Sequence, residues 1–211
     1  MKTMRISRDS SGFSLLELLV VMAIIGILSG VAMLGVGSIG RSSGIRGAVD
    51  LAASTALSAR VEAMKYGHGS LLVVDNGTDP ERKLRRLAVY RYTNTPDPGN
   101  MTNNTELVGA PVNMPKGIFF NPQYSSISST LTMPMPPGQS NTSVYFVQFN
   151  GAGHLKSPQA VKMVFGWGII EADGSLTLPE ASKASLHGFS LKRNGRPVFY
   201  QSAEQILTST P

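Results

Sequence analysis

Apolar and polar positions divide the chain into two regimes. No charged residue occurs between Glu17 and Arg41, and from Leu18 to Leu34 almost every position is Leu, Val, Ile, Met or Ala. A helix that is apolar all round belongs in lipid or in a core, and this run reaches the roughly 20 residues that a bilayer requires. From Arg41 the pattern becomes amphipathic: Ile45, Val49, Ala52, Ala53, Ala56, Leu57, Val61 and Met64 recur at three- and four-residue intervals, with Arg46, Asp50, Ser54, Ser58, Glu62 and Lys65 opposite them. The spacing predicts a helix from Phe13 to Tyr66, about 80 Å long at 1.5 Å per residue, stopped by Gly67 and Gly69.

Beyond Gly67 the apolar residues come in short β-prone runs. Strands are expected at Ser70–Val74, Leu87–Tyr92, Gly117–Phe120, Ser143–Phe149, Val161–Ile170, Leu176–Leu178, Phe189–Lys192 and Pro197–Tyr200. The first two form a hairpin across Asn76-Gly77 and Asp79-Pro80, and the last two flank the tight-turn pair Asn194-Gly195. Thr93–Thr105 and Tyr124–Asn141, rich in Asn, Ser, Thr, Pro and Gly, are expected to be surface loops. The fold class that follows is α+β: a long N-terminal helix, membrane-spanning in its first half and amphipathic in its second, packed on an antiparallel sheet.

Charge orients this arrangement. Lys2, Arg5 and Arg8 precede the apolar run, which places the N-terminus in the cytoplasm and the bulk of the chain outside it. The net charge of +6 is a mild excess that permits contact with nucleic acid or anionic lipid without demanding either. Cysteine is absent, which removes disulfides, thiolate metal sites, a cysteine nucleophile and a lipidated N-terminal cysteine. A secretory signal peptide would be cut near Ser29-Gly30-Val31-Ala32, yet the apolar run continues past that point. A plain signal anchor accounts for everything except Glu17.

A carboxylate at the edge of an apolar span faces a penalty that reaches about 2.5–3.5 kcal/mol at a helix centre, so Glu17 needs a partner. The stretch from Gly12 through Phe13-Ser14-Leu15-Leu16-Glu17 to Leu28 resembles the prepilin cleavage and methylation motif of the type IV pilin and type II secretion pseudopilin family. The resemblance implies that a prepilin peptidase cuts after Gly12 and N-methylates Phe13. It also implies that Glu17 pairs with the terminal amine of a neighbouring subunit in the filament, the two charges offsetting each other's desolvation. The expected divisions are then a cleaved leader over 1–12, a transmembrane and assembly helix over 13–40, its amphipathic continuation over 41–66 and an extracytoplasmic β-rich head over 67–211.

Gly26 and Gly30 stand four apart, as do Gly40 and Gly44; this spacing either allows close helix approach in a filament or reflects the tolerance of membrane helices for glycine. Relatives often carry a proline in this helix where the present chain has none, so any loosening on assembly falls at Gly35, Gly37 and Gly40. Within the head, the passage from Ala59-Arg60 to Gly67 and the later Phe149-Asn150-Gly151-Ala152-Gly153 are similar to H-type minor pseudopilins.

No pattern points to chemistry. His68, His154 and His187 lack partners at metal-ligand spacing, and Gly166-Trp167-Gly168 lacks the third glycine of a dinucleotide loop. Asp173, beside Glu171 and Glu180, is too isolated for the calcium site that major pseudopilins carry, so neither metal nor cofactor is expected. Two basic groups remain, Arg82, Lys83, Arg85 and Arg86 in one loop and Lys192, Arg193 and Arg196 at the last hairpin. Some minor pilins capture DNA with such residues, although a solvated charged face is the preferred reading here.

The sequence therefore reads as a non-enzymatic, minor structural subunit of a type II secretion pseudopilus or a type IV pilus. Its expected partners are the prepilin peptidase, other pilin or pseudopilin subunits, an inner-membrane assembly platform and, before assembly, the lipid of the cytoplasmic membrane. A DNA-capturing minor pilin and a signal-anchored periplasmic binding module stay open as alternatives.

Overall fold

The computed structural model describes residues 15–95, 102–127, 130–136, 140–177 and 185–209, without the side chains of residues 16, 17, 26–43 and 140. The chain divides into two compact units, Met1–Gly40 and Arg41–Pro211. Helix α1 runs over Leu15–Tyr66 as 52 residues. Its end follows from backbone freedom: Gly67 and Gly69 take φ of +74° and +99°, which only glycine adopts cheaply. In the first unit Leu18 to Ile25 are all exposed. Among the described residues no helix is long and apolar enough to cross a membrane, the described side chains of the uncharged run ending at Ile25.

The second unit is α+β with antiparallel pairing throughout. Strands β1 (Ser70–Asp75), β2 (Arg86–Tyr92), β3 (Thr105–Asn113), β5 (Thr130–Met135) and β6 (Ser140–Phe149) form a sheet in the order β3-β2-β1-β6-β5. Strands β4 (Ile118–Phe120), β7 (Val161–Trp167), β10 (His187–Leu191) and β11 (Pro197–Phe199) form a second sheet, β11-β10-β7-β4. A small hairpin joins β8 (Ile169–Ile170) to β9 (Leu176–Thr177), and helix α2 covers Ala203–Thr208. The expected hairpins β1–β2 and β10–β11 are both present.

Both sheets face one side of α1. Leu72, Val74, Leu87, Val89, Val147 and Phe149 from the first sheet and Met163, Phe165, Phe189 and Leu191 from the second join Ile45, Val49 and a row of alanines in one core. The contacting face of the helix is lined by Ala48, Ala52, Ala56, Ala59 and Ala63, all fully buried. Small side chains let two sheets close on one helix at native packing density. This corrects the expected apolar face, because Leu57, Val61 and Met64 point outward at 38%, 54% and 42% exposure. Ser70, at the start of β1, ties strand to helix by donating from Oγ to the Ala59 carbonyl at 2.6 Å.

The first sheet also rolls over its far face. Leu71, Val73, Ala88, Tyr90, Tyr92, Met133, Met135 and Val144 form a second core there. In a flat sheet β2 and β5 would lie three strand spacings, or about 14 Å, apart. Instead the Tyr90 hydroxyl donates to the Pro134 carbonyl at 2.8 Å, and the Arg86 guanidinium reaches the Pro136 carbonyl. The expected loop over Tyr124–Asn141 is therefore corrected, since it contains β5, whose Leu131, Met133 and Met135 alternate inward. Strand β3 was likewise not foreseen, its apolar positions being interrupted by Gly109 and Pro111. The expected strand Val161–Ile170 breaks at Gly168 into β7 and β8.

Candidate functional site

Gly12 and Phe13 lie outside the described residues. Glu17, Gly26 and Gly30 stand on the backbone of α1, and the side chain of Glu17 is among those not described. The surface that the second unit offers is clearer. Leu57, Val61 and Met64 follow one another at helical spacing and leave an apolar stripe on the side of α1 away from the sheets. Such a stripe at successive turns is a place for another helix to pack.

At its C-terminal end α1 meets two turns that the sequence sets far apart. A Cβ on Gly151 would stand 1.9 Å from the Gly67 carbonyl oxygen, and one on Gly195 would stand 2.5 Å from that of Gly153. The Arg60 Nε donates to the Gly153 carbonyl at 3.1 Å. The two segments singled out in the sequence, 59–67 and 149–153, are thus packed against each other, with the Asn194-Gly195 turn as a third member. A charged cluster lies near the same helix end, where Arg91 pairs with Glu106 at 2.7 Å, approaches Glu62 at 3.8 Å and lies over the Tyr66 ring at 4.1 Å. No sequence pattern marked it, because its members come from α1, β2 and β3.

The two basic groups have different fates. Arg82 pairs with Asp79, Lys83 donates to the Gly174 carbonyl, Arg85 donates to the Met114 carbonyl at 3.0 Å and Arg86 to Asn113 at 3.2 Å. Arg82 thus braces the loop internally, and the other three cations hold it onto neighbouring elements. Lys192, Arg193 and Arg196 are exposed, and among the described residues no carboxylate pairs with them. Tertiary structure brings the 150–156 turn to them, because Leu155 donates its amide to the Arg193 carbonyl at 2.9 Å and His154 lines a shallow cleft with Arg193 and Asn194.

Of the histidines, His68 and His154 are exposed and His187 is half-buried, its Nδ1 2.9 Å from the Ser185 carbonyl. Among the described residues no three of His, Cys, Asp and Glu gather where a metal could bind. The Asp173 carboxyl is held below the usual carboxylate range chiefly by hydrogen bonds from the hydroxyl and amide of Ser175. That fits an exposed turn rather than a ligand site. Another residue escaped the sequence reading: Lys162 is 9% exposed and donates from Nζ to the carbonyls of Ile206 and Ser209 at 3.0 and 2.9 Å. A cation at the last carbonyls of a helix both fills their hydrogen-bonding capacity and suits their partial charge.

Residues 7–33 match the family model described as the prokaryotic N-terminal methylation motif. Curated proteins give no match to the chain. Among solved structures the chain is similar to the type IV minor pilin FimU of Pseudomonas aeruginosa strain PAO1, at 12% identity and a TM-score of 0.42, covering 75% of this chain and 94% of that one. That likeness carries no assignment; what the chain carries is the methylation motif at its N-terminus, over residues 7–33.

Proposed function

We propose that this chain is a minor, non-enzymatic structural subunit of a type IV pilus or a type II secretion pseudopilus. The observation that carries the reading is the exposure of eight consecutive apolar residues, Leu18 to Ile25, around α1. A helix so exposed on every side is unstable in water and requires lipid or other helices around it. The prepilin motif supplies both in order: the helix anchors in the cytoplasmic membrane with the head outside, then transfers to a filament core. The peptidase removes residues 1–12 and methylates Phe13, Glu17 meets the terminal ammonium of a neighbouring subunit, and Gly26 and Gly30 allow close helix approach. An assembly platform in the same membrane would receive the processed subunit.

The intact mass of the mature protein from its native membrane tests this. Loss of residues 1–12 with gain of one methyl group is expected. A chain that keeps its original N-terminus would instead be a signal-anchored binding module and would overturn the reading.

A second reading, DNA contact by the head of such a subunit, draws support from the exposed Lys192, Arg193 and Arg196 beside Lys156 and His154. Binding through phosphates weakens steeply as salt rises. Titration of duplex DNA onto the full-length chain in detergent between low and physiological salt decides it, and salt-independent or absent binding removes it.

A further inference from the structure

Natural sheets protect their edges, because unpaired N–H and C=O groups along a strand recruit other strands. Among the described residues, three of the four edges of the two large sheets are guarded. Strand β3 carries a bulge opposite Leu87–Val89, with Gly109 and Pro111 within it. Strand β5 carries Pro134, whose carbonyl accepts from the Tyr90 hydroxyl, and the Arg86 guanidinium takes the Pro136 carbonyl just past the strand's end. Strand β4 is buried, and its Phe120 amide donates to the Leu84 carbonyl at 2.7 Å.

The fourth edge is β11. Its register on β10 is regular, and the flanking bonds from Lys192 N–H to the Arg196 carbonyl and from Tyr200 N–H to the Gly188 carbonyl fix the alternation. Val198 is then the residue that exchanges bonds with Ser190, so the Pro197 carbonyl and both backbone groups of Phe199 face away from the sheet. The side chains of this edge are apolar and open, Val198 being 48% and Phe199 46% exposed. Phe199 lies on the α1 side, its ring 6.0 Å from that of Phe189. There it borders a cleft of 340 Å³ whose walls include Arg46, Val49, Asp50 and His187.

We infer that this edge and cleft form a peptide-binding site, in which an extended segment of another protein adds as a strand to β11. The backbone groups of Phe199 and Pro197 supply main-chain hydrogen bonds, and the cleft takes an apolar side chain against Phe199 and Val49. Arg46 and Asp50, one helical turn apart, present opposite charges to the same segment, so the fitting peptide carries an acidic group toward Arg46 and a basic group toward Asp50.

The probe is a displayed library of random heptapeptides, selected on the full-length chain in detergent micelles. Enriched sequences should share a central apolar residue flanked by opposite charges, and Phe199→Asp should weaken them at least tenfold. Arg46→Glu with Asp50→Lys should reverse the charge preference. Strand addition also makes a demand that side-chain docking does not: bound peptide must slow hydrogen exchange at the Phe199 amide at least tenfold, and N-methylation of the peptide backbone must abolish binding. Failure to enrich any sequence, binding that survives Phe199→Asp, or an unprotected Phe199 amide overturns the proposal. Phe199-dependent self-association with no enriched peptide assigns the edge to a second copy of this chain and overturns it equally.

Discussion

Gly151 sits against Gly67 so closely that a single added methyl group would stand 1.9 Å from the Gly67 carbonyl oxygen. This contact joins the end of α1 to the turn after β6, and neither backbone can retreat without moving a core element. Gly151→Ala should therefore lower stability by about 3 kcal/mol or more. Gly47, also on α1, has nothing within 4 Å of its would-be Cβ. Gly47→Ala should stabilise by about 0.5–1 kcal/mol through helix propensity alone. Chemical denaturation of the two variants in one detergent checks the contrast.

Alkaline pH should weaken the rolled sheet before other parts of the head. Burial pushes the Tyr90 hydroxyl up to about 12 from 10, with a smaller contribution from the Asp75 charge, and burial alone does the same for Tyr92. A folded-state pKa above the unfolded one means that stability is full below pH 10 and falls as pH rises toward about 12. Tyr90→Phe combined with Tyr92→Phe should flatten that fall while costing about 1 kcal/mol per lost hydrogen bond near neutrality. Unfolding midpoints measured from pH 8 upward test the slope.

Lys162 holds α2 through the carbonyls of Ile206 and Ser209, while Ile206 fills a small separate core with Val164 and Leu186. Lys162→Met should release that helix locally. Losing charge-assisted bonds at this site costs about 2 kcal/mol, or roughly a 30-fold rise in amide exchange. The rise should be confined to residues 203–209, with the sheet amides unchanged.

The absence of cysteine makes a single introduced thiol a clean probe of the outer face of α1. In native filaments or membranes, Val61→Cys should cross-link to a neighbouring subunit carrying a matching thiol. Ala59→Cys, on the fully buried side, should not. Equal cross-linking at both positions would remove the apolar stripe from the assembly surface.

Processing and incorporation should separate by residue. On the proposed reading, Gly12→Ala should leave the leader attached, as read by intact mass, because a side chain there would obstruct a peptidase cutting after it. Glu17→Ala should be cut normally yet fail to enter filaments. Normal processing and incorporation of both variants would remove the assigned roles.

Most of the architecture can be read from local pattern. The uncharged run, the stop at Gly67 and Gly69, the Asn194-Gly195 hairpin and most strands each depend on a few neighbouring residues, so periodicity and turn chemistry suffice to locate them. The prepilin motif is of the same kind, since its meaning lies in order and spacing along the chain. Distance in sequence hid the rest. Whether Leu57 or Ala56 faces the core depends on how closely two sheets approach the helix, which no helical period encodes. Strands β3 and β5 are broken by glycine and proline, and they hold their places by pairing with β2 and β6. The caging of Arg82–Arg86, the burial of Lys162 and the openness of β11 depend on groups from distant parts of the chain, and such contacts exist only once the chain has folded.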